Sequence, residues 1–221
     1  MGETIHLKTA GGQPFAAYQA GVEDAKGAVM ILHEWWGVMP HNRDWADRLG
    51  DLGYHALVVD LYDGRVTDDA EQAGAWMREI DQSAADQKLR AALDFLGRPG
   101  RRIATYGCSF GGKESMQAAL LEPTRVNAAI VAYCRMETDV QRLKTLHGPV
   151  LAIYAQQERN WPQKQEDFEV AMAFAGKDTE GVGYDAAHGF TNPSSPRYDA
   201  EADKAAWETI VRFLELNLGR H

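Results

Sequence analysis

A chain of 221 residues, 45% of them hydrophobic and 25% charged, is expected to form one domain over 1–221 with an ample buried core and no second domain. Its formal net charge of −9 excludes nucleic acid and anionic membrane surfaces as expected partners, because both need clustered Lys and Arg. No apolar stretch approaches the length of a membrane span, and Met1 to His6 shows no basic start before an apolar run, so a soluble, cytoplasmic protein is expected.

In chain order, residues 3–20 read as two strands round a Gly11-Gly12 turn, Ile5 and Leu7 alternating with polar neighbours before it and Phe15 and Ala17 after it. They predict an antiparallel edge. Gly27 to Leu32 is a continuous apolar run, as a parallel strand covered on both faces requires. It ends at His33-Glu34-Trp35-Trp36-Gly37, and loops at the carboxyl ends of parallel strands are where ligands bind in open α/β sheets. His33-Glu34 begins like a zinc-protease helix, but Trp36-Gly37 stand where the second histidine belongs, and no metal site is expected.

Asn42 to Leu52 reads as a helix, and Tyr54 to Val59 as a second apolar strand ending in Asp60-Leu61-Tyr62. Residues 68–96 carry one or two amphipathic helices with Trp76, Ile80, Leu89, Leu93 and Leu96 facing inward. Arg102 to Thr105, Val126 to Ala132 and Pro149 to Tyr154 read as further strands, with helices over Glu114 to Leu121 and Gln163 to Ala175. A short strand at Gly183 to Ala186 and a closing helix from Asp199 to Leu218 complete the chain. Such alternation predicts a mostly parallel sheet with helices on both faces. Cys108 and Cys134 fall at the ends of two consecutive strands, which suits reduced, partly buried thiols rather than a disulfide framework.

Between the strand at 102–105 and the helix at 114–121 lies Tyr106-Gly107-Cys108-Ser109-Phe110-Gly111-Gly112, a Gly-x-Ser-x-Gly turn. A serine at a tight strand-to-helix turn has strained backbone angles, and neighbours two positions either side collide unless they are glycine. Ser109 is then the exposed tip, with the first N–H groups of the following helix aimed at the space where an oxyanion develops. His188, just past the short strand at 183–186, is the candidate base. The candidate acid lies after the preceding strand, where Glu158 is the residue with suitable chemistry and Asp185 the nearest substitute. Serine is protonated at neutral pH, so His188 must take its proton while Glu158 holds the imidazole in the right tautomer. The order Ser109, Glu158, His188 is that of the α/β-hydrolase fold.

Over nearly its whole length the chain resembles the dienelactone hydrolase family of α/β-hydrolases, through His33-Glu34-Trp35-Trp36-Gly37, Asp60-Leu61-Tyr62, the 107–112 elbow, and His188-Gly189-Phe190 with Asn192-Pro193 and Tyr198-Asp199. The resemblance implies an α/β-hydrolase fold with no large lid, acting on small esters or lactones without a cofactor. It also implies Glu34 beside the nucleophile and an oxyanion hole built from the backbone N–H groups of Trp35 and Phe110. The family's usual nucleophile is cysteine; here Ser109 holds that place and the cysteine stands one residue earlier, at Cys108. Glycine spacing favours Ser109. With a hydroxyl there is no stable anion for Glu34 to control, leaving it to hydrogen-bond Ser109 or His188. The family's usual acid is aspartate, and its arginine four residues after the histidine is here Asn192, with Arg65, Arg78 and Arg135 as substitutes to clamp a substrate carboxylate. Trp35, Trp36 and Trp161 suggest an apolar pocket. The expected protein is a carboxylic ester hydrolase, monomeric or a small homo-oligomer; a thioesterase or acyltransferase on the same triad, or a non-catalytic binding protein on the same scaffold, are the alternatives.

Overall fold

In a computed structural model, which describes residues 1–219, strand and helix alternate as β1 (Glu3–Lys8), β2 (Pro14–Gly21), β3 (Gly27–Leu32), α1 (Pro40–Asp51), β4 (His55–Val59), α2 (Ala70–Glu79), α3 (Gln82–Leu96), β5 (Arg102–Cys108), α4 (Phe110–Leu121), β6 (Val126–Ala132), α5 (Val140–Leu143), β7 (Val150–Ala155), α6 (Gln163–Ala175), β8 (Thr179–Tyr184) and α7 (Ala200–Leu218). The strands form one eight-stranded sheet in the order β1-β2-β4-β3-β5-β6-β7-β8. The β1 and β2 strands make the expected antiparallel edge, and β2 joins β4 antiparallel; every other pairing is parallel.

The apolar runs at β3, β4 and β7 are buried at every position. Alternate side chains serve opposite faces: Met30 and Leu32 belong to the core covered by α3, α4 and α6, whereas Val29 and Ile31 belong to the one covered by α1 and α7. Four helices start where an aspartate accepts from the free N–H groups of the first turn, Asp69, Asp81, Asp139 and Asp199. Leu89, Leu93 and Leu96 are fully buried as expected, while Trp76 and Ile80 are half-buried against the same core. Among the described residues no helix is long and apolar enough to cross a membrane.

Two expectations need correction. The last strand is not Gly183 to Ala186 but Thr179–Tyr184, because its register is set by pairing with Val150 to Ala155; past Tyr184 the chain turns, Ala186 donating back to the Tyr184 carbonyl at 2.7 Å. A Gly-rich strand carries too weak a side-chain pattern for its start to be read locally. The two thiols are also more than partly buried: Cys108 is 0% and Cys134 4% exposed, Cys108 lying beside the Tyr106 and Thr191 hydroxyls and Cys134 against Gly112 of α4.

His55 opens β4, buried against Phe95, with Gln19 and Arg101 as polar neighbours. Burial, reinforced by the Arg101 charge, lowers its pKa to about 4. An unfolded chain takes up this proton near pH ~6.5, so between the two values the unfolded state binds more protons and stability falls as pH falls. His55→Gln is expected to flatten the dependence of Tm on pH between about 4 and 6.5; an unchanged slope in a thermal melt series would remove His55 as its source.

Candidate active site

Every loop of interest leaves the carboxyl end of a parallel strand, so the fold gathers them on one edge of the sheet. At the centre, β5 runs into α4 through Ser109, whose φ of 54° and ψ of −119° fall in a region that non-glycine residues avoid. Its N–H donates to the Ala132 carbonyl at 2.9 Å, and its carbonyl accepts from Gly112 and Lys113 at 3.0 and 3.2 Å. The surrounding glycines are sterically required: a Cβ on Gly107 would stand 2.1 Å from the Gly111 carbonyl oxygen, and one on Gly111 would stand 2.2 Å from the Leu32 oxygen and 2.6 Å from that of His33. The first turn of α4 therefore lies directly on the backbone that leaves β3.

Ser109 Oγ is 2.9 Å from His188 Nε2, and His188 Nδ1 is 2.6 Å from Glu158 Oε1. Because the carboxylate can only accept, Nδ1 carries the proton and Nε2 is left to accept from the serine hydroxyl. Asp185 is exposed and accepts from the side chain of Gln157; Glu158, not Asp185, reaches the histidine. Burial works to raise the Glu158 carboxyl, but hydrogen bonds from His188 and Lys164, with the charge of Lys164, hold it below the ordinary glutamate value. The Tyr133 ring stands edge-on to the imidazole at 5.1 Å, and its hydroxyl is 2.7 Å from Thr191 Oγ1. Neither Tyr133 nor Lys164 stood out in the sequence, although Tyr133 directly follows a strand end, where ligands bind.

The loop after β3 is held by His33, buried and at 0% exposure. Its Nε2 accepts from Leu61 N–H at 3.1 Å and its Nδ1 donates to the Glu34 carbonyl at 2.6 Å, tying this loop to the one after β4. There Asp60 accepts from the N–H groups of Tyr62 and Gly64 at 2.8 and 2.5 Å, so Asp60-Leu61-Tyr62 is a turn device. Glu34 departs from expectation. Its carboxylate accepts from His41 Nε2 at 2.9 Å, both side chains being buried, and among the described residues it bonds neither Ser109 nor His188. His41 sits in the first turn of α1, and the pair anchors the loop carrying Trp35. The backbone N–H groups of Trp35 and Phe110 have no hydrogen-bond acceptor among the described residues, and Gly111 brings their two segments into contact.

Cys108 points away from this edge into the core, 3.5 Å from the Tyr106 hydroxyl. Burial, then the Glu34 charge, pushes its thiol up to about 12, so it is not a thiolate at neutral pH. Ser109 and His188 open instead on a cavity of about 630 Å³. Met77, Met136, Lys113, Arg135 and Lys164 line it; Trp35, Trp36 and Trp161 do not. The tryptophans are half-buried packing groups, Trp35 and Trp36 edge-on to one another at 4.9 Å. Of the three arginines considered, Arg65 stacks on Trp76 and Tyr62, Arg78 does not line the cavity, and Arg135 does. Asn192 is buried and caps a turn by accepting from Ser194 N–H at 2.9 Å; it clamps nothing.

A mostly parallel sheet with a strained serine turn at its central strand and a histidine beyond its last strand defines an α/β-hydrolase. The sequence model of the dienelactone hydrolase family matches residues 15–218, and the chain belongs to that family, as a carboxylic ester hydrolase. A protein of Aquifex aeolicus named "Putative carboxymethylenebutenolidase" is 25% identical over 232 residues, covering 99% of this chain and 100% of the relative; one of the same name from Salmonella typhi is 27% identical over 225 residues, covering 91% and 83%. The dienelactone hydrolase of Anabaena variabilis superimposes with a TM-score of 0.75 at 20% identity, covering 99% of this chain and 98% of that one, a likeness of fold.

Proposed function

We propose that the chain hydrolyses small carboxylic esters or lactones through an acyl-enzyme, with Ser109 as nucleophile, His188 as base and Glu158 as the acid that orients it. The observation that carries this reading is the unbroken line Ser109 Oγ, His188 Nε2, His188 Nδ1, Glu158 Oε1, at 2.9 and 2.6 Å, beside a cavity within the usual range for small ligands. Ser109 Oγ attacks the substrate carbonyl carbon as its proton passes to His188 Nε2; the carbonyl oxygen becomes an anion facing the N–H groups of Trp35 and Phe110. Collapse breaks the ester C–O bond, His188 returns the proton to the departing alkoxide, and the acyl group remains on Ser109. Water then repeats the sequence, releasing the acid and restoring the hydroxyl. For a lactone, the alcohol and acid are two ends of one product.

The methionines and cations of the lining fit a substrate with an apolar body and polar or anionic substituents. Two buried free thiols fit a reducing cytoplasm. A panel of p-nitrophenyl esters and simple lactones tests the reading, together with intact-mass detection of a phosphonate adduct on Ser109. Turnover with a Ser109 adduct is expected. A chain that turns over none of them and takes no adduct overturns it in favour of a ligand-binding protein on the same scaffold; thioester turnover far above oxygen-ester turnover moves the substrate class to thioesters.

A further inference from the structure

We propose that Lys164 is a positioning residue of this site: it grips the free oxygen of Glu158 and fixes the carboxylate against His188. The inference rests on the triad reading above. Lys164 is the second residue of α6, and its ammonium reaches back across the loop to Glu158 Oε2 at 2.5 Å, while Oε1 takes the proton of His188 Nδ1 at 2.6 Å. Each oxygen thus has its own charged or chargeable partner. The loop between them is closed by backbone bonds from Trp161 to the Glu158 carbonyl and from Lys164 to the Asn160 carbonyl, 3.1 and 2.9 Å.

A glutamate in this role has one more rotatable bond to hold than an aspartate, and an orienting carboxylate is useful only when held in one place. The Lys164 bridge supplies that second anchor. Both side chains are nearly buried, 11% and 12% exposed, where charges are screened less than at the surface. The ammonium also helps to hold the Glu158 carboxyl below its ordinary value, so that the orienting group stays a carboxylate.

The other charged and titratable groups around the site come from every neighbouring element. Asp167 lies one turn further along α6 and accepts from Gln163. Arg135 follows β6, and Lys113 in α4 is held by Gln82 and Glu114. Tyr133 stands against the histidine and Cys134 lines the cavity, both with protonated side chains, burial raising both. Arg159, next to Glu158, is exposed, as is Asp185. Lys164 alone among these bonds Glu158 besides the histidine, among the described residues.

The test compares wild type with Lys164→Met, Lys164→Gln and Lys164→Arg, by kcat and KM separately and by proton NMR of the hydrogen bond from His188 Nδ1 to Glu158. Removing the bridge is expected to lower kcat about three- to tenfold with KM within about twofold, the pattern of a lost orienting contact. The Nδ1 proton signal is expected to broaden and shift upfield with it. Lys164→Arg, which keeps the charge, is expected to restore both. An Nδ1 signal unchanged in Lys164→Met and Lys164→Gln overturns the proposal whether or not the protein turns over esters. A changed signal in a chain with no ester turnover leaves Lys164 in place and overturns the hydrolase reading instead.

Discussion

Ser109→Ala is expected to lower kcat/KM for an activated aryl ester by about 10⁶-fold, the loss that follows when the nucleophile of such a triad is removed while binding and oxyanion donors remain. The backbone at 109 stays strained, because its φ of 54° is imposed by the bonds to Ala132, Gly112 and Lys113 rather than by the hydroxyl. Loss of activity without loss of fold is therefore the expected pattern. Cys108→Ala is the matched control. Its sulfur is fully buried near Tyr106 and Thr191 and does not line the cavity, so the expected result is a lower Tm with turnover within about threefold of wild type. Steady-state kinetics with mass spectrometry of the trapped acyl group checks both. Turnover lost in Cys108→Ala and kept in Ser109→Ala would mean that the reactive residue is one position earlier than the glycines indicate.

The second large effect is at Gly111. An alanine there places its Cβ 2.2 Å from the Leu32 oxygen and 2.6 Å from the His33 oxygen. Both obstacles are backbone, one at the end of a strand buried on both faces and one in the buried residue that follows it, and neither can swing aside as a side chain would. The cost is expected to reach about 3 kcal/mol, which in a domain of this size lowers Tm by about 6–12 °C. Activity is expected to fall further than stability alone explains, because the same contact sets α4 against the loop that carries the Trp35 N–H. Gly11→Ala is the comparison: its nearest neighbour would be the Gln87 side chain at 3.5 Å, an ordinary contact. A Gly111→Ala protein that melts with wild type would show that the two segments can separate freely.

The active-site edge was readable where its logic is local. Gly107, Ser109 and Gly111 announce a strained turn within five residues, because only glycine tolerates the backbone contacts that such a turn creates. Apolar runs at 27–32, 126–132 and 150–154 mark strands buried on both faces, and the order Ser109, Glu158, His188 follows from which strands they terminate. Family signatures were readable too, yet their roles were not all as expected. His33 fastens two loops together, Asp60 closes its own turn, and Glu34 is taken by His41.

What the chain determines by itself is which residues stand at strand ends and turns, since backbone sterics and hydrophobic periodicity act over a few neighbours. What only the tertiary structure decides is where side chains go once those ends converge. His188 meets Glu158 across 30 residues of sequence because β7 and β8 lie side by side, and Met77, Met136 and Arg135 line the cavity in place of the tryptophans. These contacts depend on the packing of segments far apart in sequence, whose angles and rotations are set by the whole core together and leave no periodic trace in the residues that finally touch.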